Sequence, residues 1–71
     1  MKGGETMSIG EKIKKLRTYK GLTQELFAKE IGISRSYLSD LENNRKSPTL
    51  ETLEKIDRKM NTSLKFLIGG S

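Results

Sequence analysis

From Ser8 the run SIGEKIKKLRTYKG places apolar residues at Ile9, Ile13 and Leu16, with polar and charged positions between them. The i, i+4, i+7 spacing puts all three on one face of an α-helix. Ser8 and Glu11 form an S-x-x-E capping box, in which each side chain bonds the other residue's backbone N–H, and Gly21 supplies the stop. A second segment, TQELFAKEIG, starts with Thr23 as N-cap, sets Phe27 and Ile31 four apart and ends at Gly32, which is free to turn left-handed. A third starts from Ser34 as cap and sets Leu38 and Leu41 three apart with Tyr37 beside them, before Asn43 and Asn44 offer the left-handed geometry that closes a helix without glycine.

Pro48 fits the first turn of a fourth helix, whose stripe of Leu50, Leu53, Ile56 and Met60 is predicted core. In NTSLKFLIGG, Ser63 is a cap for a last short helix carrying Leu64, Leu67 and Ile68, closed by Gly69 and Gly70. No segment alternates like a strand, and there is no internal repeat or heptad run. The pattern predicts an all-α fold: a compact bundle of five helices around one core, with residues 8–69 as the folded domain, 1–7 as a disordered leader and 70–71 as a tail. Because the leader has no packing pattern, Met7 can serve as an alternative start.

Composition narrows the chemistry. With no cysteine and no histidine in 71 residues, the chain lacks disulfide staples, soft-metal ligand sets, thiol nucleophiles and the usual neutral-pH proton shuttle. A net charge of +5, from 14 Lys+Arg against 9 Asp+Glu, favours a polyanionic partner. No apolar run approaches the ~18 residues of a membrane span, and the apolar side of the first helix is too narrow for a membrane-surface helix. The expected location is the cytoplasm, with no membrane partner.

Only Gly32 and Ile33 separate the second helix from the cap of the third, which forces the two to meet at a steep angle instead of folding back as a hairpin. Ala28 is small enough for close approach of the backbones, and Phe27, Ile31, Ile33, Leu38 and Leu41 are predicted to point inward. This is a helix-turn-helix arrangement. At this point the stretch GLTQELFAKEIGISRSYLSDLENNRKSPTLETLEKI resembles the Cro and phage-repressor (Xre-like) helix-turn-helix family, over about Ile9 to Gly69. The resemblance implies a lambda-repressor-like five-helix bundle, with the third helix (about 34–44) in the DNA major groove and a homodimer reading two half-sites of a palindromic operator about one helical turn apart. Two positions depart from the family: Leu26 stands where a polar residue is usual, and Asp57 where alanine is usual.

Carried onto that frame, Arg35 and Ser36 lie at the start of the third helix, where side chains reach base edges. Arg35 can chelate guanine O6 and N7, and Ser36 can bond either base type. Ser39 lies on the flank of this face. Asp40 has three readings: an acceptor for cytosine N4, a holder of Arg35, or a carboxylate that rejects wrong sequences by repelling phosphates. Gln24, Tyr37, Asn43, Arg45 and Lys46 match the family's phosphate-contacting surface, the favoured reading; the alternatives are local capping for Gln24 and Asn43, a half-buried aromatic for Tyr37 and a solvated loop for Arg45 and Lys46. The family also ties the first helix to the end of the third by an ion pair, here Arg17 and Glu42. Leu64, Phe66, Leu67 and Ile68 are more apolar than a short last helix needs, which suggests a dimer face.

The expected function is sequence-specific regulation of transcription, by repression through operator occupancy. A protein-interaction module, such as an antitoxin or coregulator built on the same bundle, is the second reading, and an exposed Leu26 would favour it. No enzyme is expected, because no nucleophile is placed with a base, metal ligand set or phosphate loop. The same reasoning gives no metal, no cofactor and no small-molecule ligand.

Overall fold

In the computed structural model, which describes residues 7–64, the chain enters its first helix through the capping box. Ser8 Oγ accepts from Glu11 N at 3.1 Å, and Ser8 N donates to Glu11 Oε1 at 2.9 Å. Four helices follow, α1 (Ile9–Tyr19), α2 (Gln24–Ile31), α3 (Arg35–Glu42) and α4 (Leu50–Met60). Each of the later three also starts at a hydroxyl that accepts from a backbone N–H of the first turn: Thr23 from Leu26, Ser34 from Tyr37, and Thr49 from Thr52. Such a cap stabilises a helix by about 1 kcal/mol. Gly32 closes α2 at φ 89°, a conformation that costs other residues strain, and the chain reaches the next cap within two residues.

The core is built from Ile13, Phe27, Leu38, Leu41, Leu53 and Ile56, all essentially inaccessible to solvent, with Ala28, Ile31, Met60 and Leu64 joining them. α3 is packed on two sides, by α1 and by α2, and α2 also packs on α4. Truncating one of these large side chains would cost about 2–5 kcal/mol in lost transfer energy and cavity formation. α1 comes especially close to the end of α3 at the buried Gly10. A Cβ there would collide with the carbonyl oxygen of Leu41 and stand 2.9 Å from that of Glu42. Only a glycine lets the two backbones meet this way.

Several expectations are corrected. The described residues hold four helices, not five, and no strand. Of the expected fifth helix, Phe66, Leu67 and Ile68 lie outside the described residues, as do residues 1–6 of the leader. Leu64 itself is buried in the core of the single chain, so it is not available as an exposed dimer face. Pro48 does not enter α4; it precedes the cap, Thr49. Leu50 is consequently the first residue of α4 and is 61% exposed, not core. Helical side chains lean toward the N-terminus, so a first-turn side chain points past the end of its helix.

Asp57 departs from the family pattern without being stranded. It is buried in the last turn of α4, where its Oδ1 accepts from Thr62 Oγ1 at 2.8 Å and from Leu64 N at 2.6 Å. Its carboxylate ties the segment after α4 back onto the bundle.

Candidate nucleic-acid interface

The two faces of α3 are set by its sequence. Leu38, Leu41 and Glu42 are buried, whereas Arg35 and Ser36 are exposed and Ser39 and Asp40 partly so. The buried carboxylate of Glu42 is matched by Arg17, with Nε to Oε2 at 2.6 Å and Nη2 to Oε1 at 3.2 Å. A third nitrogen of Arg17, Nη1, donates to Leu22 O at 2.8 Å. One guanidinium thus joins α1, the α1–α2 loop and the end of α3. Gln24 adds to it: its Nε2 donates to Glu42 Oε1 at 3.1 Å. Gln24 is therefore engaged inward, and one hydrogen of its amide is left for a partner outside.

The N-terminal turn of α3 carries no acidic residue to offset the positive end of its dipole. Arg35, Ser36, Ser39, Asp40 and Arg45 line one shallow concavity, and Arg35 also lines a cleft with Arg17, Thr23, Gln24 and Glu25. The base-reading candidates are thus brought together on one exposed surface, and Arg35 connects it to the start of α2.

The loop after α3 folds back on that surface. Arg45 N and Lys46 N both donate to the Asp40 carbonyl, at 2.8 and 3.3 Å. The Asp40 carboxylate lies 3.7 Å from Arg45 Nη1 and 3.8 Å from Lys46 Nζ. It turns to these two cations, not to Arg35. Lys46 Nζ also stands 5.9 Å from the centre of the Tyr37 ring, a cation–π distance. Tyr37 is half-buried, with its hydroxyl 3.5 Å from Thr52 Oγ1. Asn43 uses its amide locally, donating to Ser39 O at 2.8 Å, as a cap for the last turn of α3.

Asn44 plays a part that its sequence position did not announce. Its φ of 61° is left-handed, its Oδ1 accepts from Gly10 N at 3.3 Å, and its Nδ2 donates to Ser8 Oγ at 2.9 Å. The side chain therefore pins the start of α1 to the end of α3 and aims the cationic loop that follows. The only signal in the sequence was the left-handed preference of asparagine, which says nothing about a partner 36 residues away. Among the described residues, no group of His, Cys, Asp or Glu could hold a metal ion, and no helix is long and apolar enough to cross a membrane.

A family model described as helix-turn-helix matches residues 13–67. The chain is 42% identical over 60 residues to the control protein C.MunI of a Mycoplasma species, covering 83% of this chain and 81% of that protein. It is 36% identical over 63 residues to the immunity repressor protein of Bacillus phage phi105, covering 89% of this chain but only 44% of the repressor. The chain thus spans less than half the length of that relative. Among solved structures, Bacillus subtilis SinR, a master regulator for biofilm formation captured in complex with DNA, superimposes with a TM-score of 0.77 at 34% identity, over 86% of this chain and 98% of the other.

Proposed function

The chain belongs to the helix-turn-helix family, and from that premise we propose that it is a sequence-specific DNA-binding regulator of transcription that represses by occupying an operator. It acts by binding, without catalysis and without a cofactor, in the cytoplasm. One observation carries the reading: α3 is anchored through Leu38, Leu41 and Glu42, while Arg35 and Ser36 stand exposed at its start and Arg45 and Lys46 at its end. α3 enters the major groove with Arg35 and Ser36 at base edges, Asp40 one turn on along the same face and Ser39 on its flank. Tyr37, Asn43, Arg45, Lys46 and the free amide hydrogen of Gln24 meet phosphates and set the register. The similarity to SinR, captured in complex with DNA, supports DNA binding by this fold.

A homodimer reads a palindromic operator, through an interface in the segment that includes Phe66, Leu67 and Ile68. The resemblance to dimeric phage repressors supports this, as does the need to bring two recognition helices about one turn of DNA apart. Binding-site selection from a random duplex pool, followed by band shifts at two salt concentrations, tests the proposal. The expected result is an enriched two-fold symmetric sequence bound with an affinity that falls steeply with salt, in proportion to the phosphates neutralised. No enriched sequence together with a flat salt response would overturn it. The second reading, a protein-binding module, draws on Leu26, which is 50% exposed on α2, and gains only if DNA binding fails.

A further inference from the structure

We propose that Asp40 sets the selectivity of this surface by acting as an internal counter-anion, which discounts binding to DNA of the wrong sequence. The inference rests on the DNA-binding reading above. The loop brings Arg45 and Lys46 to one carboxylate, Oδ1 facing the guanidinium at 3.7 Å and Oδ2 the ammonium at 3.8 Å. Both cations are about 60% exposed, and the separations exceed hydrogen-bond range. Ion pairs this long and this open contribute little to stability. The fold of the loop is already fixed by other bonds, since the Asp40 carbonyl holds both backbone N–H groups and Asn44 holds the start of α1. What the carboxylate changes is therefore the charge available to an incoming phosphate.

A carboxylate between two cations occupies the electrostatic position of a phosphate. DNA of any sequence presents phosphates, and backbone charge supplies essentially all of non-specific affinity. With Asp40 present, each non-specific encounter meets cations that are partly neutralised and an anion that repels the backbone. The same residue lines the concavity with Arg35, Ser36 and Ser39, on the face offered to bases. A base pair that turns an exocyclic amino group toward it, as cytosine N4 does in the major groove, gives the carboxylate a donor and offsets the repulsion. Discrimination then comes from a repulsive element relieved only at the right sequence.

The test compares Asp40→Asn with the wild type on two duplexes of equal length, one enriched by the wild-type protein from a random pool and one of scrambled sequence. Glu30→Gln, the same charge change at an exposed site in the last turn of α2, serves as control. Asp40→Asn keeps the size and the backbone bonds, and its thermal melt should match the wild type. Scrambled DNA is expected to bind about five-fold tighter at about 0.15 M salt, the worth of roughly one added counterion, with a steeper salt slope. The selected duplex should change by less than about two-fold, so that the ratio of the two affinities falls. An equal gain on both duplexes, the same gain from Glu30→Gln, or no gain on scrambled DNA would each overturn the role of Asp40 while leaving DNA binding intact. A wild type that enriches no sequence and binds neither duplex overturns both the inference and the reading beneath it.

Discussion

Arg17 and Glu42, 25 residues apart, meet through two hydrogen bonds of 2.6 and 3.2 Å, with side chains 12% and 2% exposed. The pair fixes the end of α3 relative to α1, and with it the direction in which Arg35 and the cationic loop point. Removing one partner strands a buried charge. Arg17→Met and Glu42→Leu should each lower unfolding free energy by about 3 kcal/mol in urea titrations. The double variant should lose clearly less than the sum, because neither charge is then left alone. Strictly additive losses would show that the two side chains act independently.

Gly10 tests the closeness of the two backbones. Gly10→Ala places a methyl group against the Asn44 side chain and the carbonyls of Leu41 and Glu42, and the two carbonyls cannot retreat without moving α3. In a free helix the same change would stabilise by about 1 kcal/mol, through higher helix propensity. Here it should destabilise by about 1–3 kcal/mol, an overpacking cost read as a lower melting temperature. An unchanged or raised melting temperature would mean that α1 and α3 are not in backbone contact.

The contrast between these sites shows what a sequence can carry. Helix starts were legible because a cap is a local matter: Ser8, Thr23 and Ser34 each bond a backbone N–H within three residues. Gly32 was legible for the same reason, since the short link from α2 to α3 requires a left-handed residue. The start of α4 was misjudged because two local signals competed. Pro48 suits a first turn, but Thr49 caps, and the later start makes Leu50 the first helical residue and sends it out to solvent. Gly10 and Asn44 were opaque, because in a helix and a loop they look merely unfavourable or merely permissive, and their use arises only when α3 is packed on α1. Asp40 stands out in the sequence as a carboxylate among hydroxyls and cations, but helical spacing along α3 alone does not reveal its partners. Its partners, Arg45 and Lys46, lie in the loop that folds back on it.

Asp57 is expected to be a structural acceptor that alanine cannot replace. Asp57→Ala would leave the buried N–H of Leu64 without its 2.6 Å bond and free the hydroxyl of Thr62, for a loss of about 1–3 kcal/mol. Asp57→Asn keeps an oxygen acceptor but gives up the stronger, charge-assisted bond, so it should fall between alanine and the wild type. Denaturation curves of the three proteins give the order directly. An alanine variant as stable as the wild type would mean that the segment after α4 is held by other contacts.

Arg35 and Lys46 should separate reading from holding. Arg35 is exposed at the first turn of α3, where two parallel bonds to guanine are possible, so Arg35→Ala should cost about 1–3 kcal/mol on the selected operator and relax preference at one position of each half-site. Lys46 lies in the loop beside Asp40, past the end of α3, and a phosphate contact there carries no sequence information. Lys46→Ala should therefore weaken all duplexes alike and reduce the salt slope by about 1. Repeating site selection with each variant distinguishes the roles. If Arg35→Ala selects the same sequence as the wild type, Arg35 is another backbone cation and base reading must come from Ser36 and its neighbours on α3.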